Sequence, residues 1–205
     1  MLIADYRLLT AAMKSLDEYL SEAEAAHGHL CAGQILGVRM AMLGLEKLGI
    51  DDPKGRDRKR LITYVEIDRC MTDAVAVVTG CRLGKRALKF RDWGKVAATF
   101  VDLSSGRGVR IVAKDSAKNA AWALHPELES KNQQQMLAYR EMPPEELFDV
   151  REVRVNVAPE DLPGHKGERI ACAECGETIN FGREVRRDGR VLCRACAGER
   201  YWEPA

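Results

Sequence analysis

Two Cys-x-x-Cys pairs, Cys172/Cys175 and Cys193/Cys196, stand seventeen residues apart near the C-terminus, and no other feature restricts the fold of this chain as tightly. Two residues between thiols let one tight turn aim both sulfurs at a single ion, and the interval between the pairs is that of a four-cysteine zinc site. Gly176 supplies a permissive backbone just after the first turn. Between the pairs, residues 179–187 and 190–192 flank Asp188-Gly189, a hairpin signal, and residues 195–201 read as a short helix. A knuckle, a hairpin and a knuckle at a helix start make a treble-clef-like zinc module. Redox pairs or surface thiols are the competing reading, and the doubled motif with its matching hairpin argues against it. Such a module has too little apolar material to fold alone, so the bound ion supplies much of its stability.

The chain has 205 residues, enough for one real core beside this appendage. We place the core domain at residues 1–158, a linker containing Pro163-Gly164 at 159–168, and the zinc module at 169–205. Leu9, Met13, Leu16 and Leu20 recur at helical spacing, which predicts an amphipathic helix over 5–25. A second helix carries Ile35, Val38, Met42, Leu45 and Leu48 on one stripe and Gly33, Gly37, Ala41 and Gly44 on another, ending at Gly49. Glycines inside a helix cost about 1 kcal/mol each, so their stripe implies a backbone, a subunit or a cofactor approaching closely. A strand follows over 61–68, a short helix over 71–79 with Thr72 or Asp73 near its start, and a hairpin pairing 96–102 with 109–113. Helices over 116–124 and 126–141 stop at Pro143-Pro144, and alternating valines predict a last strand over 148–157. The fold class expected is α+β, helices packed on a mostly antiparallel sheet.

His27, His29 and Cys31 occupy alternate positions before the second helix, and Cys70 and Cys81 bracket the short one. Imidazole and thiolate suit zinc or another first-row metal, and a helix N-terminus favours thiolate at Cys31. The five form a candidate core pocket for a second metal, with Asp68 and Asp73 as carboxylates able to orient a ligand. Ordinary buried cysteines and capping histidines are the alternative. Lys and Arg total 32 against 31 for Asp and Glu, so the net charge of +1 gives no global field for nucleic acid or anionic lipid. Arg183, Arg186, Arg187 and Arg190 around the module's turn read mainly as a solvated face. Seven cysteines without an export signal or an apolar run of spanning length point to metal ligation in the cytoplasm, with no membrane contact.

The segments His27-Gly-His29-Leu-Cys31-Ala-Gly33, Gly37-Val-Arg39, Asp68-Arg69-Cys70-Met-Thr-Asp73, Val78-Thr79-Gly80-Cys81, Gly84-Lys85 and Gly94-Lys95, in that order, resemble the FmdE family of formylmethanofuran dehydrogenase proteins. The resemblance spans about residues 20–115 and implies an α+β core, a homodimer, and in some members a C-terminal zinc finger. Its histidine and cysteine positions fall on the five residues named above. Two functions fit. The first is a metal-binding accessory or regulatory protein whose zinc finger contacts a protein or nucleic-acid partner. The second is an enzyme or carrier for a C1 or pterin-like cofactor, with Cys31 or Cys70 as reactive thiol or ligand, a histidine as base, and Lys54, Arg56, Lys85, Arg86 and Lys89 available to an anionic cofactor. The sequence itself assigns no catalytic residue, and it carries no phosphate-binding glycine loop and no serine-hydrolase elbow.

Overall fold

The structure, a computed structural model, describes residues 13–204, and the chain divides into two compact units, one ending at Val155 and the other beginning at Asn156. The first unit opens with α1 (Leu16–His27), whose Ser15 forms a reciprocal capping box with Glu18 and whose end is closed by Gly28 at φ 95°. The part of the expected first helix that precedes residue 13 lies outside the described residues. Next comes α2 (Ala32–Leu48), closed by Gly49 at φ 64°, then β1 (Leu61–Val65), α3 (Cys70–Thr79), β2 (Leu88–Phe90), β3 (Ala97–Asp102) and β4 (Arg107–Ala113). The unit finishes with α4 (Ser116–Leu124), α5 (Lys131–Glu141), α6 (Pro144–Leu147) and β5 (Phe148–Arg154).

The five strands form one sheet in the order β2-β1-β3-β4-β5, in which only the β1/β2 pair is parallel. The architecture is the α+β arrangement expected, with the helices and one sheet face sharing a core built around Ile35, Met40, Leu45, Phe100 and Ile111. Three local expectations are corrected. The helix expected over 126–141 starts only at Lys131, because Ser130 accepts a hydrogen bond from Gln133 N and caps it there. Pro144 does not simply break the chain: it opens α6 at a first-turn position where its missing N–H has no partner to lose. The short helix begins at Cys70 rather than 71, with Arg69 at its N-cap, and Thr72 Oγ1 instead donates to Ile67 O at 2.5 Å.

The glycine stripe on α2 is explained inside the chain. A methyl group at Gly37 would lie 2.8 Å from Ala74 Cβ and collide with the Met71 carbonyl oxygen, and one at Gly44 would lie 2.6 Å from Phe100 Cε2. At Gly33 the nearest atom would be Cys70 Cβ at 3.3 Å. Thus α3 seats its backbone on the first half of α2, while β3 places a ring against the second half.

The second unit contains β6 (Arg169–Ala171) paired with β7 (Thr178–Asn180), and β8 (Val185–Arg187) paired with β9 (Arg190–Leu192). Asp188 and Gly189 both take left-handed φ values, 50° and 72°, as a two-residue hairpin turn demands. The single strand expected over 179–187 is split, because Phe181 and Gly182 are also left-handed, at 60° and 66°. One helical turn, Ala195–Glu199, follows. Its apolar contents are small: Cys172, Ile179, Leu192 and Ala197 are its buried residues.

Gly37→Ala should lower stability by about 2 kcal/mol, since the opposing carbonyl is backbone and cannot rotate aside. Gly84→Ala, which would meet no atom within 4 Å, should leave the melting temperature unchanged in the same thermal-unfolding series.

Candidate metal centres

In the second unit the sulfurs of Cys172, Cys175, Cys193 and Cys196 all lie within 4.8 Å of one another. Cys175 Sγ and Cys193 Sγ are 3.9 Å apart. Zinc–sulfur bonds of about 2.3 Å in a tetrahedron put sulfurs about 3.8 Å apart, so these four fit a zinc ion. Backbone amides support the cluster: Glu174 N and Cys193 N donate to Cys172 Sγ at 3.5 and 3.3 Å, and Cys196 N donates to Cys193 Sγ at 3.4 Å. Hydrogen bonds from the backbone at Cys175, Cys193 and Glu174 bring the Cys172 thiol down to about 6. The bond to Cys193 and burial push Cys196 up to about 12. Binding an ion at such a cluster requires the thiols to give up their protons, so its occupancy falls as the pH is lowered.

In the first unit, one ligand atom each from His27, Cys31 and Cys70 lie within 4.8 Å of one another. Three elements deliver them. His27 is the last residue of α1, Cys31 is the N-cap of α2, and Cys70 is the first residue of α3. Neither α2 nor α3 has a side-chain cap, so their free N–H groups and positive ends lie beside the two sulfurs. His27 Nδ1 is held 2.9 Å from Asp73 Oδ2, one helical turn into α3. With Nδ1 taken, Nε2 remains to face a metal, the arrangement in which a carboxylate fixes a histidine ligand. Of the two carboxylates considered from the sequence, Asp73 is the one in contact. Burial, then its hydrogen bond to Cys31, raises the Cys70 thiol.

Of the other two members of the five-residue pocket, His29 stands beside His27 but outside this three-atom cluster, and Cys81 lies at the far end of α3. His29 is exposed and meets His27 only through a tilted ring contact with centroids 4.8 Å apart. Cys81 is 3% exposed, lies beside Thr63 Oγ1 at 3.5 Å and Leu61 O at 3.8 Å, and has its thiol raised by burial. The physical reason is the helix itself: Cys70 and Cys81 bracket a rod about 15 Å long, so they sit at its opposite ends. Sequence reasoning overlooked Gln34. Its side chain is fully buried, Nε2 donates to Cys70 O at 3.3 Å, and Oε1 has no protein partner. A polar residue on the otherwise apolar and glycine-lined opening of α2 was the available signal. Lys54 and Arg56, which the sequence leaves open to an anionic cofactor, pair instead with Glu22 at 2.8 Å and Asp57 at 3.5 Å.

Residues 26–149 match the family model described as "FmdE, Molybdenum formylmethanofuran dehydrogenase operon". The chain belongs to the FmdE family. Beyond its FmdE domain, residues 166–201 match the prokaryotic dksA/traR C4-type zinc finger. This FmdE chain is also 34% identical, over 205 aligned residues and 91% of its length, to a protein of Archaeoglobus fulgidus called a probable S-adenosyl-L-methionine-binding protein. It spans about half of that relative, 54% of its length. Among solved structures, it resembles a tungsten formylmethanofuran dehydrogenase FmdE-like protein from Syntrophus aciditrophicus, with a TM-score of 0.64 and 26% identity, covering 95% of this chain and all of that one. No helix among the described residues is long and apolar enough to cross a membrane.

Stripping metal from the intact protein with a strong chelator should abolish amide-exchange protection across residues 166–201 while sparing β1, β3 and β4. Protection that survives chelation would show that the tail folds without an ion.

Proposed function

We propose that this FmdE protein is a metal-binding accessory protein with two separate centres: a structural zinc in the tail, and a second metal held by His27, Cys31 and Cys70. The observation that carries the second centre is the meeting of three ligand atoms from three elements within 4.8 Å, with Asp73 already bonded to the histidine. Structural zinc sites in proteins are closed by four protein ligands, as the tail cluster is, whereas three protein ligands leave a position for an exogenous group. The chemistry of this donor set suits zinc, and a metal there would act as a Lewis acid or as a docking point for a thiol, water or cofactor atom. The chain's own part is to fix the donors: Asp73 orients His27, Gln34 holds the first carbonyl of α3, and Gly33 lets Cys31 and Cys70 approach.

The reading extends to a homodimer, which the family resemblance implies, and to contact with a protein or nucleic-acid partner through the zinc finger. The match to the dksA/traR finger supports the latter, as does Tyr201, 96% exposed just beyond the last cysteine. The three-ligand donor set favours one further reading, an enzyme or carrier for a C1 or pterin-like cofactor. The name of the Archaeoglobus relative adds S-adenosylmethionine to the molecules worth titrating. Turnover of such a molecule that disappears in Cys31→Ala would replace the accessory reading with this one.

Elemental analysis of purified protein should find a second equivalent of metal per chain beyond the tail zinc. Cys70→Ser should remove only that equivalent, Cys175→Ser only the other, and Asp73→Asn should weaken the core centre by about 10- to 100-fold. A metal content that Cys31→Ser and Cys70→Ser both leave unchanged would dismiss the core centre.

A further inference from the structure

The segment from Arg82 to Lys95 holds six basic residues, Arg82, Lys85, Arg86, Lys89, Arg91 and Lys95, against Asp92 alone, in a chain whose net charge is only +1. It forms β2 and its flanks, and β2 is an edge of the sheet. Among the described residues, Arg82, Lys85, Arg91 and Lys95 make no ion pair, unlike Lys54, Arg60 and Arg110 elsewhere in the unit. The nearby carboxylate of Glu66 is 2% exposed and committed to Arg110, with bonds of 2.7 and 2.6 Å. The same edge exposes large apolar side chains: Trp93 is 60% exposed, Phe90 39% and Leu83 65%.

The rings are not on a loose loop. Arg91 N donates to Val65 O at 2.9 Å, and Trp93 N and Lys95 N donate to Glu66 O at 3.3 and 3.1 Å, so the backbone pins the segment to the end of β1. Lys95 Nζ lies 5.7 Å from the Trp93 ring centre and the Arg91 guanidinium 5.5 Å from that of Tyr64. Cations and rings therefore alternate along a fixed edge. Phosphates and bases alternate in the same way along a single-stranded nucleic acid, for which stacking on aromatic rings and charge neutralisation are the two sources of affinity. A second copy of this chain suits the edge poorly, since pairing two β2 strands would oppose like charges.

We propose that the β2 edge, through Lys85, Phe90, Arg91, Trp93 and Lys95, is a binding surface for single-stranded nucleic acid. The surface shares no residue with either metal centre or with the zinc finger. Three phosphate contacts, one for each of Lys85, Arg91 and Lys95, imply a roughly 20-fold loss of affinity between about 50 and about 200 mM salt. Removing the stacking ring costs about tenfold or more.

The test is fluorescence anisotropy of the full-length, zinc-loaded chain with a labelled oligouridylate of about twelve nucleotides, a length that fits one such surface. Binding that has this salt dependence, falls in Trp93→Ala and in the pair Lys85→Glu/Lys95→Glu, and is largely kept in Trp93→Phe supports the proposal. Photocrosslinking of the unmodified protein to a thiouridine-bearing oligomer, mapped to residues 90–95, supports it without any variant. The proposal is overturned by absence of binding, by binding that Trp93→Ala does not touch, by binding that depends on Arg183 and Arg187 instead, or by affinity confined to phosphatidylserine vesicles.

Discussion

The approach of α3 to α2 is the contact on which the first unit turns. Gly37 has no side chain because the Met71 carbonyl occupies that space, and Gly33 has none because Cys70 does. Once those backbones are in register, the N-terminal ends of the two helices lie side by side, and the residues at those ends are Cys31 and Cys70. No loop has to fold into place to bring the thiols together. The geometry of the donor cluster follows from helix packing, and sites built on packed helices keep their donors within a narrower range of distances than sites built on loops.

The two donor clusters differ in what surrounds them. The tail has four buried apolar or cysteine residues for a core, so its four sulfurs must also serve as its structural anchor. The first unit has a full hydrophobic core of its own. A donor set placed at its rim is therefore free to serve chemistry or recognition rather than stability. The mixed His/Cys composition, a carboxylate behind the histidine and an unsatisfied buried amide oxygen on Gln34 all belong to that second kind of site.

Much of this was legible in the sequence because it was written in local signals. Periodicity located α2, β3 and β4, a left-handed glycine ended each of the first three helices, and the doubled Cys-x-x-Cys motif fixed the tail. What escaped depended on distance or on unusual backbone. In the sequence Cys81 groups with Cys70 because the two bracket one short helix and fall on the resembled family's cysteine positions, yet a helix holds such residues at opposite ends. The strand β2 was invisible since three residues, one of them a buried lysine, carry no period, and only its parallel pairing with β1 defines it. Phe181, a left-handed residue with a bulky side chain, interrupts a stretch that reads as continuous strand. Gln34 could be recognised only after α3 had supplied the carbonyl it holds.

His27 closes α1, yet its ring is tied to Asp73 on α3 and stands with the two cysteines. The first helix is thus moored at its far end by the same atoms that would grip an ion. In thermodynamic language the docking of α1 and the occupancy of the centre are linked equilibria, each drawing the other forward. Were the proposed ion held there, its loss would be felt first as a loosening of α1, well before the sheet behind it took any notice.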